Sequence, residues 1–142
     1  MRHYLVVAHK TLVGPHLLAE IGHHYQACGS AARFHLLVPL TPPSDGAHTE
    51  GETAVLAGAR LELGLQAVRD LGVPATGEIG DVHPVAAVQD LLRRGEVRVD
   101  EIIVSTLPPG ISAWLRLDVP HRLANAVDVP VHHVLAAREA VA

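Results

Sequence analysis

A small set of residues in this chain carries the groups that hold an anion. Lys10 is the only lysine in the sequence, and it follows directly on an apolar run, Tyr4–Ala8, within His9-Lys10-Thr11. Ser105 and Thr106 close a second apolar run, Ile102–Val104; a turn with Pro108, Pro109 and Gly110 comes next, then Ser112 and Arg116. Hydroxyls, the exposed N–H groups of a glycine-containing turn, the positive end of a following helix and an arginine fork are what a phosphate needs. Each residue also has a plainer role. Lys10 suits an exposed turn, Ser105 and Thr106 suit turn or helix capping, and Arg116 and Arg122 suit a solvated helix face or an ion pair with Asp118. The sequence leaves both readings open.

Other chemistries find less support. There are eleven histidines, but His23-His24 and His132-His133 are adjacent pairs, and neighbours on a strand point to opposite faces. No His-Glu-x-x-His, paired cysteines or three-ligand loop occurs, so no metal is expected. Ser105, His9 and Asp81 all fall near strand ends, yet there is no Gly-x-Ser-x-Gly elbow to make a hydrolase nucleophile. A net charge of −4 gives no pull toward nucleic acid or an anionic membrane. Cys28 is the lone cysteine, which excludes an internal disulfide. The N-terminal apolar run is too short for a signal peptide, and no stretch is long enough to span a bilayer. A cytoplasmic protein is expected.

The elements that must position these residues follow from periodicity. At 142 residues one domain is expected, over 1–142. Tyr4–Ala8 has no polar alternation and reads as a central strand covered on both faces. Pro15 opens a helix with Leu17, Leu18, Ile21 and Tyr25 inward, stopped at Gly29. Ala32–Leu40 holds the second strand, and Thr41–Gly51 reads as a long loop. Thr53–Leu71 is the longest helical pattern, with Val55, Leu56, Ala59, Leu63, Ala67 and Leu71 assigned to its inner side. Val73–Ile79 is a third strand ending at Gly80-Asp81. Pro84–Leu92 is a helix with Val85, Val88, Leu91 and Leu92 inward. The strand at Ile102, a last helix over Trp114–Val127 restarted at Pro120, and a strand at Val131–Leu135 complete the chain. Strictly alternating strands and helices predict an α/β fold: a doubly wound five-stranded parallel sheet, order 3-2-1-4-5, helices on both faces. Ligands in such sheets sit beyond the carboxyl ends of the strands where the order reverses, here between the first and fourth strands.

This order of elements, with local matches at Val7-Ala8-His9-Lys10-Thr11, Gly80-Asp81-Val82-His83-Pro84 and Val129-Pro130-Val131-His132-His133-Val134, resembles the universal stress protein family, within the adenine-nucleotide α hydrolase-like folds. The resemblance covers nearly the whole chain. Nucleotide-binding members carry a glycine, two residues, a glycine, nine residues, then Gly-Ser or Gly-Thr after the fourth strand. Gly110 matches the second glycine and Ser112 a small polar position. Ser105 or Thr106 replaces the first glycine, and Leu117-Asp118 or Pro120-His121 falls where the last pair belongs. The acidic residue that typically follows the first strand is Ala8 or His9 here. The chain therefore resembles a diverged member with a degraded ATP-binding motif.

The resemblance implies a ligand, ATP or AMP, over Ala8, His9, Lys10, Thr11, Val38, Gly80, Ser105, Thr106, Gly110, Ser112 and Arg116. It implies a homodimer through the edge strand Val131–Val134, whose apolar edge needs a cover. The expected role is a binding or regulatory module with a nucleotide or anion site. The alternatives are a slow ATP hydrolase and a dimeric scaffold that binds nothing.

Overall fold

The computed structural model describes residues 1–8, 14–40, 50–106 and 118–135, with the backbone alone at 50–53. Strands and helices alternate along it: β1 (Arg2–Val7), α1 (Pro15–Ala27), β2 (Ala32–Pro39), α2 (Glu50–Asp70), β3 (Ala75–Gly80), α3 (Pro84–Arg94), β4 (Glu101–Thr106), α4 (Val119–Ala126) and β5 (Val131–Leu135). The sheet runs β3-β2-β1-β4-β5 with every pairing parallel, the architecture that the alternation predicts. The expected loop at 41–49 and Trp114 lie outside the described residues.

β1 lies at the centre because its side chains leave it no other place. Leu5, Val6, Val7 and Ala8 are fully buried. Tyr4, Val6 and Ala8 face one apolar layer, shared with Leu17 and Ile21 of α1 and Leu61, Leu65 and Val68 of α2. Leu5 and Val7 face the other, shared with Val88 and Leu91 of α3 and Val119 and Leu123 of α4. A strand apolar on both faces requires helices above and below, as right-handed crossovers in both directions supply.

Two local devices set the frame. α1 starts on Pro15 at its first turn, and its end is turned by Gly29 at φ 57°, a left-handed conformation that costs glycine little. At the start of the β1–β4 pair, the Asp100 carboxylate accepts the His3 backbone N–H at 2.8 Å, and the Asp100 N–H donates to the His3 carbonyl at 2.8 Å. The first of these bonds holds the Asp100 carboxyl below its ordinary value. This reciprocal pair fixes the register in which Tyr4 lies beside Glu101 and Val7 beside Val104.

One helix face differs from the sequence reading. On α2, Ala57, Leu61, Leu65 and Val68 are buried, whereas Val55, Leu56, Leu63 and Leu71 are exposed. The helix carries apolar residues on two stripes, so counting large side chains picks the wrong one. The buried stripe fits closely against β3: a Cβ on Gly77 would stand 2.6 Å from Leu61 Cδ1 and 3.0 Å from the Leu36 carbonyl oxygen.

The sheet edge at β3 is held by a polar cluster. His35 on β2 bonds Thr76 Oγ1 through Nδ1 at 2.7 Å and Glu78 Oε1 through Nε2 at 2.9 Å. Arg94 at the end of α3 donates to Glu78 Oε2 at 2.6 Å. Partial burial alone would raise the Glu78 carboxyl, but the bonds from His35 and Arg94 outweigh it and hold it below its ordinary value. A carboxylate depressed in the folded state stabilises fully above its unfolded value, and that contribution is lost as pH falls through the depressed one. In acid denaturation followed by circular dichroism, Glu78→Gln is expected to flatten the fall in stability below about pH 4.3, the unperturbed glutamate value. An acid limb identical to that of the original protein would refute this account of the cluster.

Candidate functional site

The carboxyl ends of the parallel strands share one rim of the sheet. After β1 the chain passes to α1 on one face, and after β4 it arrives at α4 on the other. The strand order therefore reverses between β1 and β4, the position at which open α/β sheets expose a crevice. Extending the strand registers by one residue past Val7, Leu37 and Val104 sets Val38, Ala8 and Ser105 side by side, with Val134 next to Ser105. Val38, Ala8 and Val134 belong to the apolar layer under α1 and α2.

Ser105 is the polar member of that row. It is 2% exposed, and its buried hydroxyl has no hydrogen-bond partner among the described residues. Leaving a buried donor unmet costs on the order of 1–3 kcal/mol, and most buried polar groups avoid it. Thr106, equally buried, lies on the opposite face, where its Oγ1 shares a 2.7 Å hydrogen bond with His133 Nε2. Burial pushes the His133 imidazole below its ordinary value, and the neighbouring His132 adds to this. Alternation thus separates two residues that the sequence treats as a pair: Thr106 is engaged with β5, and Ser105 is left available.

Gly80 pairs with Pro39, and its carbonyl accepts the Leu40 N–H at 3.1 Å. A Cβ on Gly80 would lie 2.9 Å from both Ala87 Cβ and Leu37 Cδ1, so its lack of a side chain seats α3 against the sheet. The Asp81 carboxylate accepts the His83 N–H at 2.9 Å, and Pro84 then opens α3. These contacts build a tight β3–α3 turn. His9, Lys10, Thr11, Gly110, Ser112 and Arg116 lie outside the described residues.

Two further features were not singled out by sequence. A cleft of about 440 Å³ lies against β3 and α3, lined by Glu78, Asp81, Asp90, Arg93 and Arg94 among others. Its cations are already paired, Arg93 with Asp90 at 3.2 Å and Arg94 with Glu78 at 2.6 Å, so an anion would have to displace a carboxylate. It opens on the α3 side, the face opposite to Ser105. The second feature joins α1 to β5: Glu20 Oε1 is 3.0 Å from His24 Nε2 and 3.0 Å from His132 Nε2. The spacing of Glu20 and His24 on one helix was visible in the sequence; the approach of His132 depends on the strand order.

Among solved structures, the chain is similar to a universal stress protein family protein from Arabidopsis thaliana with AMP bound (TM-score 0.67, 11% identity, covering 98% of this chain and 94% of that one). It is similar to the universal stress protein from Archaeoglobus fulgidus in complex with dAMP (TM-score 0.63, 14% identity, 94% and 97% covered). A universal stress protein in complex with cAMP matches with TM-score 0.61 at 19% identity, over 95% of this chain and 97% of that one. The chain has the universal stress protein fold. No family model and no curated protein matches its sequence. The likeness to universal stress proteins therefore rests on the arrangement of elements.

The unpartnered hydroxyl makes a prediction with an unusual sign. Ser105→Ala removes a buried polar group that has no partner to lose. Its unfolding free energy in urea is expected to be unchanged or raised by up to about 1–3 kcal/mol. A loss of more than about 1 kcal/mol, the net worth of an ordinary hydrogen bond, would mean that the hydroxyl is already bonded.

Proposed function

We propose that this protein is a universal stress protein-like binding module that takes an adenine nucleotide or a related anion at the β1–β4 crevice. The observation that carries this reading is the buried Ser105 hydroxyl at the carboxyl end of β4, beside the strand reversal, which has no hydrogen-bond partner among the described residues. A phosphate or ribose oxygen would supply one. Support comes from the fold relatives whose structures hold AMP, dAMP and cAMP. The neighbouring row, Val38 and Ala8, offers an apolar wall of the kind that flanks the few polar groups of a small-molecule site. Lys10, Arg116, Gly110 and Ser112 are proposed as the charged and backbone partners contributed by the adjoining segments. Ligand exchange in such a module serves sensing rather than turnover, and we place it in the cytoplasm.

Thermal-shift titration with ATP, AMP and cAMP tests this. A ligand at a hundred times its dissociation constant stabilises by about 2.7 kcal/mol and raises the melting temperature accordingly. We expect a saturable rise with at least one nucleotide, reduced in Ser105→Ala although that variant is itself no less stable. No rise with any of them removes the nucleotide reading. Phosphate release abolished by Lys10→Ala or Ser105→Ala would replace the binding module with a hydrolase.

We further propose a homodimer through β5. Among the described residues β5 pairs only with β4, which leaves its other edge unmatched, and Leu135 is 46% exposed. Unmatched edges recruit strands. Light scattering is expected to give twice the chain mass; a monomer at high protein concentration would exclude this interface.

A further inference from the structure

We infer that Glu20, His24 and His132 form a binding site for a divalent first-row transition metal, with Zn²⁺ the ion whose chemistry they suit best. The inference does not depend on the nucleotide site. Glu20 and His24 stand one turn apart on α1, where residues four apart share a face. His132 is exposed on β5 but projects toward the same layer, because it shares a strand face with Val134 two residues on. Each residue offers one ligand atom, and all three atoms lie within 4.8 Å of one another.

The distances match what zinc demands. Bonds of about 2.0–2.1 Å to imidazole nitrogen and about 2.0–2.2 Å to carboxylate oxygen, in tetrahedral array, set ligand atoms roughly 3.3 Å apart. Two of the three separations, Glu20 Oε1 to His24 Nε2 and Glu20 Oε1 to His132 Nε2, are already 3.0 Å. The remaining one, between the two imidazoles, is within 4.8 Å, and zinc binding would require His132, whose side chain is 47% exposed, to rotate and shorten it. His24 is held more firmly. Its side chain is 18% exposed, and its ring packs 4.9 Å from that of Tyr4, which is itself stacked on Phe34 at 5.0 Å. One fixed imidazole, one carboxylate from the same helix and one adjustable imidazole from a neighbouring strand make a three-ligand set with room for water in the fourth position. Imidazole nitrogen with carboxylate selects zinc and its neighbours over magnesium or calcium, which prefer oxygen alone.

An alternative occupant of the same geometry is a proton: Glu20 Oε1 can accept from both imidazoles and pin β5 to α1 with no metal. Four measurements on the full chain separate the two. Calorimetric titration with ZnCl₂ after chelator treatment is expected to give one ion per chain. His132→Ala and Glu20→Gln are each expected to weaken binding by at least about tenfold, the loss that even outer-shell changes produce. The exposed His121→Ala controls for surface histidines, and it should leave binding unchanged. Long-range nitrogen NMR of the unaltered protein needs no variant, and Zn²⁺ should move the Nε2 resonances of His24 and His132. Co²⁺ in place of Zn²⁺ should give the intense visible bands of a tetrahedral site. Absence of binding, an affinity indifferent to His132→Ala and Glu20→Gln in folded variants, or zinc-shifted resonances belonging to other histidines would each overturn the metal site.

Discussion

The burial of β1 on both faces and along both edges is the constraint from which the rest of the molecule follows. A run in which Leu5, Val6, Val7 and Ala8 are all inaccessible cannot lie at a rim or face water on either side. It needs a strand to its left, a strand to its right, and a helical layer above and below. Parallel strands joined by right-handed crossovers meet all four demands only if the chain winds outward in one direction and then returns to wind in the other. That return is the connection from β3 through α3 to β4. It places β4 beside β1 and so creates the reversal at which the two connections part. The crevice is thus a by-product of burying one strand, and its location needs no functional argument.

Which side chains reach that end of the sheet is decided by alternation along β4. Ile103 and Ser105 face the α1–α2 layer, while Val104 and Thr106 face the α3–α4 layer; the apolar members appear in those two clusters and Ser105 is the register mate of Val134. The two hydroxyls that sit next to one another in sequence therefore have separate fates. Thr106 finds His133 across the β4–β5 pair. Ser105 meets Ala8 and Val134, neither of which offers a side-chain acceptor. An apolar residue at position 105 would complete the row at less cost, so a serine there is a local inconsistency of the kind that concentrates at functional sites. A side chain in place of a glycine at the end of β4 limits how closely backbone N–H groups can approach a phosphate.

The architecture was legible because its signals are long and redundant. β1 and β4 hold uninterrupted apolar runs and β2 ends in one, Pro15 and Pro84 mark helix starts, and Gly29 and Gly72 mark stops that the structure confirms with positive φ. Three things were not legible. The inner face of α2 is not the one its bulk suggests: Val55, Leu56 and Leu63 outweigh Ala57 and Leu61, whereas it is the bare Gly77 on β3 that makes room for Leu61. The division of labour between Ser105 and Thr106 required the phase of β4, which a three-residue apolar run does not reveal. The meeting of Glu20, His24 and His132 required strand order: a search for ligands clustered in one loop cannot find a pair on a helix completed by a distant edge strand.

That third case explains how β5 is held. An edge strand buries little, and in β5 only Val134 is buried. Apolar contact is correspondingly thin, and a strand with one buried side chain would fray readily. The adjacent histidines compensate because they are adjacent. Alternation sends His132 to the α1 face, where it meets Glu20, and His133 to the other face, where it meets Thr106. Each face of the strand is anchored by one polar contact, and neither anchor uses the backbone groups of the outer edge. Among the described residues no strand pairs with them, and the two side-chain contacts hold β5 independently of that edge.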